Sequence, residues 1–579
     1  MKKHLNIALI LLLTLALIAG ALSSCSSSNG VVGINWERYD SLIERIRTES
    51  DPAKKEAFLH IAEDWLMETE CIVPIYNSRD AYLMKSTLTG VYSTDFGAKY
   101  FTKAQNGDRT DASLLFCEAP NSLDPAFAQN ISALTLVSNL FSGLYSYDAE
   151  GNVVPELAES FTVSDDGLVY TFTLRGGLSW SNGADFGASD FVYSWRRVAD
   201  SELKSPYAYL FDIIAIDEDG KLMLAADETD TVLTVTLKSP CDYFTDLCAF
   251  PALYAVNENA VEYAKGYSDI FGNVIDASAW TKSFPFPTSG AYVVSSAAEK
   301  SSYALSVNTR YYGNSDIKLK KISVTVKNSA NEAYAMYSAG EIDFLGSIPD
   351  GEVEASIPNE EFKYDDISGV YMLCHNFNSS IYSGMEAENA ALLRRAISLY
   401  IDREYIVSSI TSNREEVATS IVSGEISDGS GGAYRKNTGY HRYPFMNNLG
   451  YFSKSTEENR EEAREIIKKL GLDTDGDGKI DDAYAFSMTY LTVKNKEDIR
   501  IAQSIQQDLA ALGIVVNINA VDQSVFYYEQ RFFMYDMVST QVTACYNDAL
   551  SMLEHWITDA DDNYAGLGSV VVEENENAY

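Results

Sequence analysis

The chain has 579 residues, with 83 Asp and Glu against 44 Lys and Arg, five His and a formal net charge of −39. That length holds several domains or two large lobes, and 46% hydrophobic with 22% charged residues is the composition of a globular chain with large cores. A charge this negative argues against nucleic acid and anionic lipid surfaces as partners, since clustered Lys and Arg hold both. Five histidines leave little material for metal or general-base chemistry, and no HExxH, GxSxG, GxGxxG or P-loop string is present.

In chain order, Lys2 and Lys3 precede an apolar run over residues 7–21, followed by Leu22-Ser23-Ser24-Cys25 and a Ser/Asn/Gly stretch. A basic start, a short apolar core and small residues at the cut describe an export signal over 1–24. The string ending in Cys25 resembles the bacterial lipobox, in which the thiol takes a diacylglyceryl group. Lipidation at Cys25 and a tether over 25–32 follow, with an uncleaved anchor or an unlipidated secreted form as alternatives. Stable anchoring needs more than one acyl chain. Six thiols then remain: Cys71, Cys117, Cys241, Cys248, Cys374 and Cys545. Cys241 and Cys248 read as one helix, about 10 Å apart along its axis, too far to bridge.

Tyr39, Leu42, Ile43 and Ile46 follow helical spacing. Asp51-Pro52 reads as an N-cap with proline at the first helical position, and Phe58, Leu59, Ala62, Trp65 and Leu66 share a face of the helix it opens. Residues 71–76 read as a buried strand and 105–112 as a polar linker. From Leu114 the pattern turns α/β. It predicts helices over 132–144, 189–198, 330–339, 390–400, 456–470 and 498–512. It predicts strands over 170–174, 231–237, 291–294, 322–326 and 515–518. The acidic end, 568–579, reads as a frayed tail.

Several strings together resemble the large extracytoplasmic solute-binding proteins of peptide ABC importers. Pro120-Asn-Ser-Leu-Asp-Pro125 resembles the opening strand. Val154-Pro-Glu-Leu-Ala-Glu159, Asp165-Asp-Gly-Leu-Val-Tyr-Thr-Phe-Thr-Leu-Arg175 and Trp180-Ser-Asn-Gly183 resemble the most recognisable block. Asp190-Phe-Val-Tyr-Ser-Trp-Arg-Arg197, Ser205-Pro-Tyr-Ala-Tyr209, Thr288-Ser-Gly-Ala-Tyr292, Ala339-Gly-Glu-Ile-Asp-Phe344 and Ile401-Asp-Arg-Glu404 continue in family order. One piece is out of place. Residues 33–104 resemble the family's closing helix pair and last cleft strand, while Asn563-Tyr-Ala-Gly-Leu567 resembles the segment just before that piece. The order implies a circular permutation; the alternative is a rearranged gene whose product folds poorly.

The resemblance implies a type II, periplasmic-binding-protein-like α/β fold of two lobes, with an extra subdomain in lobe I. Lobe I takes residues 71–104 and 113–346, and lobe II takes 33–70 and 347–567. The ligand lies between the lobes and no residue reacts with it. The edge Gln129, Asn130, Ile131 is implied to hold peptide main chain, and Tyr207 to face the ligand. Trp180 reads as packing a turn. The family's ammonium-binding Asp falls, by the same resemblance, in Val542-Thr543-Ala544-Cys545-Tyr546-Asn547, where Cys545 replaces it. A mostly neutral thiol cannot pair an ammonium as a carboxylate does. Tyr76, Ser78, Cys374, Thr543, Cys545 and Tyr546 are likewise implied to line the ligand site, and Ser78 and Cys374 fall where the family has tyrosines. One end of the pocket is therefore expected to be rebuilt. Either Asp548 or another acid takes over, or the ligand lacks a free amine. Cys374 and Cys545 are candidates for a disulfide or for two free thiols.

Asp473, Asp475, Asp477 and Asp481, with Gly478 between, resemble the start of an EF-hand loop, but Tyr484 stands where a bidentate Glu would complete it. A Ca²⁺ site and a plain polar turn both fit. The leading function is a lipid-anchored, monomeric binding protein delivering peptides or a related solute to an ABC importer. The alternatives are a ligand-sensing or surface interaction lipoprotein of the same fold, and a hydrolase using paired carboxylates, for which no spacing singles out a pair.

Overall fold

The computed structural model describes residues 36–265, 277–298, 300–349, 357–358, 360–411, 415–424, 426–427, 433–436, 451–452, 455–558 and 560–568. The export segment, Cys25, the tether 25–32 and all but the first residue of the 568–579 tail lie outside them. Among the described residues no helix is long and apolar enough to cross a membrane.

Two lobes share one eleven-stranded sheet. At its centre two long strands, Ile72–Met84 and Phe362–His375, run antiparallel from the Leu83–Phe362 pair to the Ile72–Cys374 pair. Lobe I extends from this ladder through Phe344–Leu345, Asp111–Phe116, Lys321–Val326, Ser302–Val307 and Tyr292–Ala298. Lobe II extends the other way through Met537–Thr543, Ser487–Val493 and Val515–Val521. The two strands on which both halves of the sheet are built begin at Ile72 and Phe362. Ile72, Val73 and Ile75 are fully buried, as a strand covered on both faces requires. The ladder slips in register between Pro74 and Tyr76 and between Asn77 and Arg79. Proline has no N–H for a ladder and belongs at such a bulge. Lys99 ties the two strands together in lobe I, with Nζ 2.7 Å from Asp80 and 2.8 Å from Asp365.

The extra subdomain is a four-stranded sheet, Leu224–Ala226, Val232–Thr236, Val169–Leu174 and Ala158–Val163, against the helix Ala188–Ala199. That helix buries Phe191, Trp195 and Val198 at i, i+4 and i+7. Trp180 is fully buried against Phe186.

The first helix pair, Glu37–Thr48 and Pro52–Glu68, packs on lobe II. Asp51 caps the second helix by accepting from the amides of Ala53 and Lys54, with Pro52 at the first helical position. Trp36 stacks on Tyr39 at 4.4 Å, and their Nε1 and hydroxyl donate to the carbonyls of Trp556 and Leu553, both at 2.7 Å. Asp40 accepts from the Thr558 amide and hydroxyl. Glu63 pairs with Arg435 and accepts from the Tyr434 hydroxyl. Arg394 donates twice to the Thr69 carbonyl. Gly568, at φ +76°, sits so close that a Cβ there would lie 2.8 Å from Trp36 Cδ1. The first described residue thus touches the last.

Three expectations need correction. Residues 105–112 are folded: Gln105–Asn106 pairs with Leu88–Thr89, Asn106 is buried, and the lobe I strand already begins at Asp111. Pro120-Asn-Ser-Leu-Asp-Pro125 is a loop and not a strand. It presents the buried Asp124 to Arg197 Nη2 at 2.6 Å and Trp280 Nε1 at 2.7 Å, which extended pairing would forbid. Cys241 and Cys248 do not share a helix, since only Phe244–Leu247 is helical between them.

Trp36→Ala is expected to lower unfolding free energy by about 3 kcal/mol, and Tyr39→Phe by about 1 kcal/mol. Urea denaturation followed by fluorescence checks both. An unchanged midpoint for Trp36→Ala would mean that the first helix pair does not support lobe II.

Candidate functional site

A cavity of about 800 Å³ lies between the lobes. On the lobe I side it is walled by residues 129–131 and 204–209, with Leu134, Asp212 and Phe250. On the lobe II side it meets Gln541, residues 543–545, Glu554, His555 and residues 560–562.

Local hydrogen bonds fix each wall. Asn130 caps the helix Ile131–Leu140 by accepting from the Ala133 amide at 2.9 Å. Asn121 Oδ1 accepts the Gln129 and Asn130 amides at 2.9 and 3.2 Å. Those two N–H groups are thus spent within the protein and cannot pair with a ligand strand. Tyr207 packs edge-on against Phe250 and donates its hydroxyl to the Ala128 carbonyl at 2.6 Å, so it shapes the wall with its ring. On the opposite wall the Cys545 amide donates to Ser551 Oγ at 2.8 Å, and its Sγ lies 3.5 Å from the Tyr209 hydroxyl. Burial pushes the Cys545 thiol up to about 12, so it stays neutral.

Of the expected site residues, Gln129, Asn130, Ile131, Tyr207, Thr543 and Cys545 border the cavity. Tyr546 borders a narrow cleft beside it, stacked on Tyr243 at 4.3 Å and donating to Glu554 at 2.7 Å. Tyr76, Ser78 and Cys374 are not on its wall. Tyr76 stacks face to face on Tyr371, Ser78 is buried near Gly369, and Cys374 is fully buried within the hinge ladder. Period-2 alternation places the right strand but does not say which face looks into the cleft. Cys374 and Cys545 are both free thiols, so the disulfide is not formed. Asp548 is also spoken for. It is buried and bound by Lys55 Nζ at 2.7 Å, which rules it out as a spare acid for the ligand. The sequence reading missed His555, Asp562, Tyr209 and Arg47. Histidine's scarcity in this chain was the only signal for the first.

The same region joins the lobes. Lys55 Nζ also reaches Asp242 of lobe I at 2.8 Å. The Asn547 amide donates to Asp246 at 3.0 Å, and Ser239 Oγ donates to the Arg47 carbonyl at 2.9 Å. Burial pushes the Asp246 carboxyl up to about 6, against the pull of the Asn547 and Tyr147 donors. These contacts hold the lobes against each other around the cavity.

In the Asp-rich turn, carboxylates of Asp473, Asp475 and Asp481 converge within 4.8 Å of one another. Asp477 is not in that group and accepts the Lys479 amide instead. Asp473 accepts the Gly476 and Gly478 amides, and Asp481 accepts the Thr474 amide. The turn closes on its own N–H groups, and Tyr484 brings no carboxylate to a twelfth position.

Two α/β lobes on a pair of shared strands, with a cavity walled by both, have the architecture of a two-lobed ligand-binding protein. Residues 152–564 match the family described as bacterial extracellular solute-binding proteins, family 5 middle, and the chain belongs to that family. Its members are binding proteins rather than enzymes. The chain is 26% identical over 458 residues to dipeptide-binding protein DppE of Bacillus subtilis, covering 77% of each. It is 26% identical over 459 residues to periplasmic oligopeptide-binding protein OppA of Salmonella typhimurium, covering 77% of this chain and 76% of the relative. Among solved structures, the Escherichia coli murein tripeptide binding protein MppA superposes with a TM-score of 0.63 at 21% identity, over 79% of this chain and 84% of that one.

Removing either partner of the lobe-bridging lysine has distinct expected effects. Lys55→Met leaves Asp548 buried without its cation and should cost about 3 kcal/mol of unfolding free energy. Asp242→Asn should leave stability nearly unchanged, because Asp242 is half exposed, and shift the ligand-free protein toward a larger radius of gyration in small-angle X-ray scattering. An unchanged scattering profile would remove this bridge from the closing contacts.

Proposed function

We propose that the protein is a lipid-anchored, monomeric, extracytoplasmic binding protein that captures a peptide or a related solute and presents it to an ABC importer. The observation that carries this reading is the cavity between the lobes, large enough for a short peptide and bordered by both. Relatives named for dipeptide and oligopeptide binding support the ligand class. The signal and Cys25 support export and anchoring on the outer face of the membrane. The ligand works by differential affinity: it binds the closed arrangement better than the open one and so shifts the population toward the shape a permease can read. Native mass spectrometry of protein purified from cells is expected to reveal a bound peptide-like mass that denaturation releases. Ligand-free protein that gives no calorimetric signal with peptides of two to five residues would defeat the reading.

The displaced order of the chain belongs to the same proposal. A circular permutation that moved the closing piece to the front is supported by the docking of residues 36–68 on lobe II and by the approach of Trp36 to Gly568. Termini brought together at a surface tolerate such a move. A gene that places residues 33–104 after Leu567 is expected to give a protein with the same circular dichroism and the same bound ligand. An insoluble product, with the parent soluble, would count against the permutation.

A further inference from the structure

His555 lies in the turn Glu554–Trp556, borders the cavity and is only 7% exposed. Its Nδ1 hydrogen-bonds to the Asp562 carboxylate, and the Tyr209 ring meets it edge-on at 5.7 Å. Its other ring nitrogen, Nε2, is buried with no hydrogen-bond partner among the described residues. Such an orphan costs about 1–3 kcal/mol, which a ligand atom that reaches it from the cavity can offset. The groups facing the ring settle its charge. Burial pulls its pKa down, but the Asp562 carboxylate and its hydrogen bond, together with Glu554 and the Ser551 carbonyl, outweigh burial and leave a net upward shift. Glu554 is itself paired with Arg47 at 2.7 Å and takes the Tyr546 hydroxyl. With Asp562 accepting from Nδ1–H, the imidazolium leaves one N–H free at Nε2. Nearby stand the neutral Cys545 thiol and the Tyr209 hydroxyl, and Asp561, next to Asp562, is a further carboxylate on the cavity wall.

We propose that His555, oriented by Asp562, donates its Nε2–H to an oxygen of the bound ligand, so that this end of the cavity takes a carbonyl or carboxylate and not an ammonium. A blocked amino end or an acidic group satisfies this chemistry. The assignment rests on the peptide-binding reading above. The sign with pH is fixed. The donor is present below the raised imidazole pKa and is lost as pH rises through it, when Nε2 becomes an acceptor.

Isothermal titration of the full-length protein with trialanine and with N-acetyl-trialanine, between pH 5.5 and 8.5, tests it. The acetylated probe is expected to bind at least as tightly as the free amine, with affinity falling as pH rises. His555→Ala should weaken acetylated binding at least about tenfold, the loss for a hydrogen bond to a charged group, and flatten the pH profile. Asp562→Asn should move the fall to lower pH, and a thermal melt confirms that each variant is folded. Unchanged affinity and pH profile in a folded His555→Ala protein would overturn the assignment while leaving the peptide reading standing. If wild type binds neither probe at any pH, the peptide reading fails and this assignment falls with it.

Discussion

The backbone ladder between Ile72–Met84 and Phe362–His375 is the constraint on which the rest of the molecule depends. Each lobe is built outward from it, so neither lobe has a complete sheet without the strands that belong to both. Its N–H and C=O groups pair along the strands except at the register slips. Bending is concentrated where pairing lapses, at the two register slips around Pro74–Tyr76 and Asn77–Arg79. Arg403 Nε donates to the Pro74 carbonyl at 2.6 Å, which supplies a partner at the slip. The cavity walls lie away from these slips and are each fixed by their own local bonds.

The ladder also ties the front of the chain to lobe II. Ile72 follows the helix pair with only a short turn between, so the helices' seating sets the strand's position. That seating uses charged groups away from water: Glu63 with Arg435, Arg395 with Glu70 and Arg47 with Glu554. Buried pairs of this kind add little net stability, but any other seating would leave a charge uncompensated.

Much of the fold was legible because apolar periodicity carries it. The observed helices Ala330–Ser338 and Thr456–Lys469 differ from the predicted spans by a single residue, and the cap at Asp51 is where the Asp-Pro pair puts it. The hinge strand was half legible. Its Cys71–Tyr76 half is apolar, but Asn77, Ser78, Arg79 and Asp80 break the pattern, and the strand continues only because polar partners lie across from it. Arg79 Nε reaches Asp366 at 2.6 Å, and Asp80 meets Lys99. No single-strand pattern encodes a partner nearly 290 positions away. The supposed linker at 105–112 failed for the same reason, since its polar residues are satisfied by residues 87–89. Within the site, the resemblance located the strands but not their inward faces, and His555 sits in a short turn with no periodic signal at all.

The cavity wall carries more acids than cations. Five acids border it, Glu118, Asp212, Glu554, Asp561 and Asp562, against the cations Arg47 and Lys204. Two of the five are neutralised inside the protein, Glu554 by Arg47 and Asp562 by His555. Glu118, Asp212 and Asp561 remain against one lysine. Closure strengthens every uncompensated charge by removing water, and burial already moves the Asp212 carboxyl upward. A ligand that brings positive charge toward these acids relieves that cost. A ligand oxygen at His555 relieves the other orphan. Where along its length a solute is cationic and where it is not is one contribution to selectivity in such a pocket.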